Sequence, residues 1–151
     1  MANLAYQDLI SYAKQKVLDP TLIKKTLAIA LGISVARSLN LPSGEVDHAE
    51  SYYTNQMHMT AVNMITQFNE NCLVDFDLAR ETVRAFWLQR YYNAHPAKTI
   101  PIPDDDEGHF MSSFVGVGHL INPQTFEFCQ SNARVLIVLI NRIRPLTDVM
   151  V

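Results

Sequence analysis

A chain of 151 residues is long enough for one domain with a sizeable core. Hydrophobic residues make up 48% and charged ones 18%, a balance that excludes an intrinsically disordered chain. The formal net charge of −3 excludes a whole-molecule positive field that would draw the protein onto nucleic acid, so any anion binding has to come from a local patch.

In chain order, Leu4, Leu9, Ile10, Ala13 and Val17 recur near helical spacing and predict a short helix over residues 3–18. Asp19-Pro20 is a helix start, with Asp as the cap and Pro at the first helical position. The second helix is expected from Pro20 to Leu39. Its apolar residues, among them Leu22, Ile23, Leu27, Ile29, Leu31, Ile33 and Val35, point in every direction, which is the pattern of a centrally buried helix. Gly32 in its middle costs about 1 kcal/mol relative to Ala and signals a close helix–helix contact. Lys24 and Lys25 lie in its first turns, the unfavourable end of the helix dipole, where they are available to an outside anion or simply solvated.

Leu41-Pro42-Ser43-Gly44 reads as a turn. A long third helix is expected from Glu45 to Asn69, with Val46, Ala49, Tyr53, Met57, Thr60, Met64 and Phe68 as its apolar stripe. Its other face carries Asn55, Gln56, Asn63 and Gln67. Exposed helix faces usually carry Lys and Glu, so an amide-rich face points to a contact surface.

The fourth helix is expected from Asp75 to His95, capped by Asp75 or Asp77 and stopped by Pro96. Phe76, Ala79, Val83, Phe86 and Trp87 form its apolar stripe. Arg80, Arg84 and Tyr91 lie along one edge, beside Trp87. Leu78, Ala85, Leu88 and Tyr92 lie opposite, so the helix is apolar nearly all round and belongs between neighbours. Its arginines either meet an outside anion or pair with nearby Asp and Glu.

Pro96, Pro101 and Pro103 forbid regular helix between His95 and Gly108. The Asp104–Glu107 cluster does not fit a calcium loop, because Val115 stands where the bidentate Glu belongs. Acidic residues at the start of a short helix, 109–114, account for it better. Asn122-Pro123 starts the last helix, expected to reach Arg144 and to be stopped by Pro145. Leu146 to Val151 then form an apolar tail, docked or in contact with a partner.

No motif of catalysis appears. The five histidines form no His-Glu-x-x-His or other metal spacing, and there is no Gly-x-Ser-x-Gly elbow and no phosphate loop. No cofactor, metal site or small-molecule substrate is expected. Cys72 and Cys129 stand apart without Cys-x-x-Cys spacing, and the chain opens on no signal-peptide pattern, so free thiols in a reducing cytoplasm are expected. The longest apolar run, Val135 to Ile140, is far short of the roughly 20 residues of a membrane span.

The expectation is therefore an all-α protein: residues 1–151 as a single-domain helical bundle of about five main helices. The expected core includes Leu27, Leu31, Met57, Met64, Val83, Phe86, Trp87, Leu136 and Ile140. Positive charge gathers at Lys24 and Lys25, at Arg80, Arg84 and Arg90, and at Arg134, Arg142 and Arg144. Acidic charge is displaced to Glu45–Glu50 and Asp104–Glu107. A bundle built this way has a basic strip and an acidic pole, and such a strip can hold a nucleic-acid strand without reading its sequence.

In its size, its helical character and its separated charges the whole chain resembles the small subunit of a type I CRISPR effector complex (Cascade). In some subtypes that subunit is equivalent to the helical carboxy-terminal domain of the large subunit. The resemblance is one of architecture, with no motif attached. Arg80, Arg84, Arg134 and Arg142 enter on charge and helical position. It implies a non-catalytic subunit of an RNA-guided antiviral complex, with other effector subunits and further copies of itself as partners. Such a subunit would lie close to crRNA and hold target or displaced DNA without sequence preference. The alternative is a helical assembly or adaptor protein that binds only other proteins.

Overall fold

The computed structural model describes residues 8–9, 11–15, 19–41, 49–53, 58–68, 74–93 and 121–150; for residues 49, 50, 68, 93 and 144–150 it describes the backbone alone. The described residues form helices and no strand. After a short helical stretch over 11–15 come α1 (Pro20–Ser38), α2 (Ala49–Tyr52), α3 (His58–Phe68), α4 (Phe76–Asn93), α5 (Pro123–Ser131) and α6 (Ala133–Met150). The all-α expectation holds.

Helix α1 is the axis of the bundle. Asp19 caps it, its carboxylate accepting the Thr21 N–H at 2.7 Å, and Pro20 sets the first turn. Every residue from Thr26 to Ala36 is buried. A helix with no polar face needs neighbours all round. Helices α4 and α6 are the main ones; α3 adds a smaller contact, and α4 and α6 share no comparable contact with each other. Two buried hydroxyls inside α1 are satisfied: Thr26 donates to the Leu22 carbonyl at 2.6 Å and Ser34 to the Ile140 carbonyl of α6 at 3.3 Å.

Gly32 marks the closest approach, as its position implied. A Cβ added there would lie 2.6 Å from the Thr82 Cβ and 2.8 Å from the Ala79 carbonyl oxygen, so no side chain fits between α1 and α4. The expected core residues Leu27, Leu31, Met64, Val83, Phe86, Trp87, Leu136 and Ile140 are all buried, while Met57 lies outside the described residues. Removing a side chain of the size of Phe86 or Trp87 from water stabilises by about 1.5–3 kcal/mol or more.

Two boundaries and one stripe residue differ from the sequence expectation. The helix expected over 45–69 contains two described helices, α2 and α3, and the residues between Tyr53 and His58 lie outside the described ones. The buried side of α3 is Ala61, Met64 and Ile65, and Thr60, expected in the stripe, is exposed. The helix expected from Asn122 to Arg144 is broken at Asn132, whose backbone leaves the helical region (φ −122°, ψ 24°) while its side-chain amide donates to the Phe128 carbonyl at 2.9 Å. Finally, Pro145 does not stop α6, which continues to Met150. Pro removes one intrahelical donor and crowds the preceding turn, a cost of about 3 kcal/mol that ends a helix only where nothing else supports it.

The first helix expected over 3–18 is helical where described. The proline-rich stretch, the acidic cluster Asp104–Glu107 and the short helix expected over 109–114 lie outside the described residues, as does Cys72.

Candidate nucleic-acid interface

Asp75 caps α4, its carboxylate accepting the Leu78 N–H at 3.1 Å. Arg80, Arg84, Trp87 and Tyr91 follow at steps of four, three and four residues, so they share one stripe of the helix. Trp87 is fully buried on it, stacked on Tyr52 and Tyr91 at ring separations of 5.9 Å each and packed against Tyr53 at 5.5 Å. Its indole N–H donates to the Asn40 carbonyl at 3.1 Å. Trp87, Tyr53 and Tyr91 are therefore internal and form no open platform for bases.

The eight expected contact residues fall into separate groups. Arg80 and Arg84 stand one turn apart at the amino-terminal half of the stripe. Arg80 is partly exposed and pairs with Asp77 on its own helix at 3.1 Å, with side chains 41% and 86% exposed. Its guanidinium also lies 5.7 Å from the centre of the Phe76 ring. Arg84 is half-buried; burial raises the Tyr53 pKa, and the charge of Arg84, then that of Arg80, opposes the rise.

Arg90 has a different employment. Its guanidinium donates to the carbonyls of Ala36 and Leu39 and so closes the carboxyl end of α1. Burial lowers its pKa from the usual arginine value. An arginine still keeps its charge at neutral pH, and a cation at a helix carboxyl terminus is favourably placed. Lys24 and Lys25 are exposed at the start of α1. Lys25 lines a cleft of about 320 Å³ together with Asp75, Asp77 and Glu81, so its charge is set among carboxylates.

On α6, Arg134 and Arg142 are exposed. Arg142 donates to Asp8 at 2.8 Å and covers the Tyr12 ring at 4.5 Å, tying the first helical stretch to α6. The backbone of Arg144 is helical; its side chain lies outside the described residues. Since α4 and α6 each pack mainly on α1, the arginines of α4 and those of α6 are borne by different helices.

Two features had no signal in the sequence. Among the described residues the Tyr53 hydroxyl and the Nη1 of Arg37 are buried without a hydrogen-bond partner. Both depend on what tertiary packing brings near them.

Among the described residues no three His, Cys, Asp or Glu stand where they could hold a metal ion, and no helix is long and apolar enough to cross a membrane. Cys129 is a buried free thiol on α5; burial, and secondarily the Glu81 carboxylate, push its pKa far up, so it is not a tuned nucleophile. Comparison with protein families, with curated proteins and with solved structures finds no match for this chain.

Proposed function

We propose that this protein is a non-catalytic helical subunit that works by contact within a larger assembly. The observation that carries this reading is the outward face of α3. Met59, Thr60, Asn63, Thr66 and Gln67 are exposed there, and the helix contains no Asp, Glu, Lys or Arg. Met59 is 65% exposed, the one large hydrophobic side chain so exposed among the described residues. An uncharged face with a flexible thioether on it suits a protein partner better than bulk water. The test is sedimentation of the purified chain at tens of micromolar, with co-purification from its native host. Self-association or a co-purifying complex is expected, and Met59→Lys should weaken it. A clean monomer with no partner would count decisively against the assembly reading.

A finer reading is supported by a second observation. Lys24, Lys25, Arg134 and Arg142 are exposed cations, and Arg80 and Arg142 are paired with carboxylates that are themselves 86% and 70% exposed. Exposed pairs contribute about 0–1 kcal/mol and yield readily to a phosphate. With the architectural resemblance described above, this supports a small subunit of an RNA-guided antiviral effector complex that helps to hold target or displaced DNA without sequence specificity, in a cytoplasmic setting. It predicts an affinity for single-stranded DNA that is indifferent to sequence and falls with salt.

A further inference from the structure

Three helix starts meet around the cleft of about 320 Å³. The Asp75 N–H donates to the Lys24 carbonyl at 3.3 Å and sets the start of α4 beside that of α1. The backbone and side-chain N–H groups of Asn122 donate to one Glu81 oxygen at 3.3 and 3.4 Å and hold the start of α5 against α4. Ile29, Leu78 and Phe128 give the cleft apolar walls, and Asp75, Asp77 and Glu81 give it acceptors. Asp77 is matched by Arg80 at 3.1 Å, but Asp75 and Glu81 bond only to neutral N–H groups. Thr125 also lines the cleft and is 8% exposed. The other buried Ser and Thr hydroxyls among the described residues, those of Thr26, Ser34 and Thr82, each donate to a carbonyl. Among the same residues the Thr125 hydroxyl has no hydrogen-bond partner. A buried polar group is normally paired, so this one points to a partner from outside the chain.

We propose that the cleft is a binding site for a small aliphatic amine. An ammonium has three donors and no acceptor, and oxygens of Asp75, Glu81 and Thr125 answer it. Its bonds to the two carboxylates are charge-assisted, and stronger than the neutral bonds they now make. The carbon stem packs on Ile29, Leu78 and Phe128. A metal ion fits less well, because no three carboxylates among the described residues stand where they could hold one. The volume lies at the lower end of small-molecule pockets, which begin at about 300 Å³, and suits an amine of a few carbons. Lys25 lines the cleft without an ion pair to these carboxylates, and its charge opposes a second cation. The site is independent of the α3 face and of the DNA-holding reading.

The full chain is titrated with butylamine at constant ionic strength. The side-chain amide resonances of Asn122 and Gln124, which line the cleft, are followed by nuclear magnetic resonance. A saturable shift is expected, and none with butanol, which has the stem without the charge. Asp75→Asn keeps a capping oxygen for α4 and should weaken binding about tenfold, the size of a lost hydrogen bond to a charged group. Glu81→Gln and Thr125→Val should act likewise. Thr125→Val should melt no lower than the parent, because the hydroxyl it removes has no partner among the described residues. Lys25→Gln alters an exposed side chain, leaves the fold alone and should tighten binding. No saturable shift, an equal response to butanol, or an Asp75→Asn or Thr125→Val variant that binds butylamine like the parent overturns the site. Binding seen only in Lys25→Gln shows that Lys25 fills the cleft itself, and overturns it too. A lysine-containing peptide that shifts the amides where butylamine does not makes the cleft a protein contact and overturns the small-ligand site.

Discussion

A guanidinium turned onto backbone carbonyls does structural work that its charge alone does not reveal. Arg90 bonds to the carbonyls of Ala36 and Leu39, 54 and 51 residues away in sequence. The last carbonyls of a helix have no intrahelical donor, so removing this one leaves partly buried acceptors unpaired. Arg90→Ala should cost about 2–3 kcal/mol in urea unfolding, the range for hydrogen bonds from a charged group. An unchanged midpoint would show that water replaces the guanidinium freely. Cys129 makes a second residue-scale prediction. Its thiol pKa is raised by burial, so above the unfolded thiol value of about 8.5 the unfolded chain loses a proton that the folded chain keeps. The unfolded state then binds fewer protons, and stability falls as pH rises. Cys129→Ala should remove that part of the alkaline loss between about pH 8.5 and 10, and equal slopes for both proteins would refute the account.

At the scale of elements, what the sequence displays is periodicity inside one helix. The burial of Ala79, Val83, Phe86 and Trp87 on α4 follows from their spacing alone, and the burial of α1 on every side follows from its lack of a polar face. Gly32 was legible too, because only close packing tolerates its intrinsic cost. The break at Asn132 was not, because Asn sits in helices and at their ends alike until the bond to Phe128 decides. Of the candidate site, the shared stripe of Arg80, Arg84 and Trp87 was legible. The inward turn of Arg90, the Asp8–Arg142 pair and the unpaired Tyr53 hydroxyl were not, since each is made by segments far apart in sequence. Asn122 is the element-scale test. It caps α5, accepting the Thr125 N–H at 2.8 Å, while its own N–H groups reach Glu81 of α4 at 3.3 and 3.4 Å. Asn122→Ala should cost about 1–2 kcal/mol, as a lost cap does, while Glu81→Gln should cost less because the cap survives. Equal losses would place the stabilisation in the link to α4 instead.

At the scale of the whole molecule, the net charge of −3 and the distribution of cations over helices that pack mainly on α1 limit how DNA can be held. Lys25 lies among carboxylates and Arg90 is committed to α1; of the other cations Lys24 stands on α1, Arg80 and Arg84 on α4, and Arg134 and Arg142 on α6. Each phosphate contact on a single strand contributes about −0.7 to the slope of log affinity against log salt. If the α4 patch holds the strand, Arg80→Ala with Arg84→Ala should reduce the slope by roughly 1.4, two contacts' worth, for every sequence alike. Arg134→Ala with Arg142→Ala should leave that slope nearly unchanged in the isolated chain. In an assembly of several copies the α6 patch of one copy can meet the same strand as the α4 patch of the next, and there both double variants should reduce it. Melting temperature measured on the same proteins separates this from a structural role. Arg142 ties the first helical stretch to α6 through Asp8 and Tyr12, so its loss should lower thermal stability whatever happens to DNA. Loss of Arg80 breaks one exposed pair and should lower stability little. An α4 double variant that melts lower and binds DNA as before would end the nucleic-acid reading and leave the protein-contact face of α3 as the functional surface.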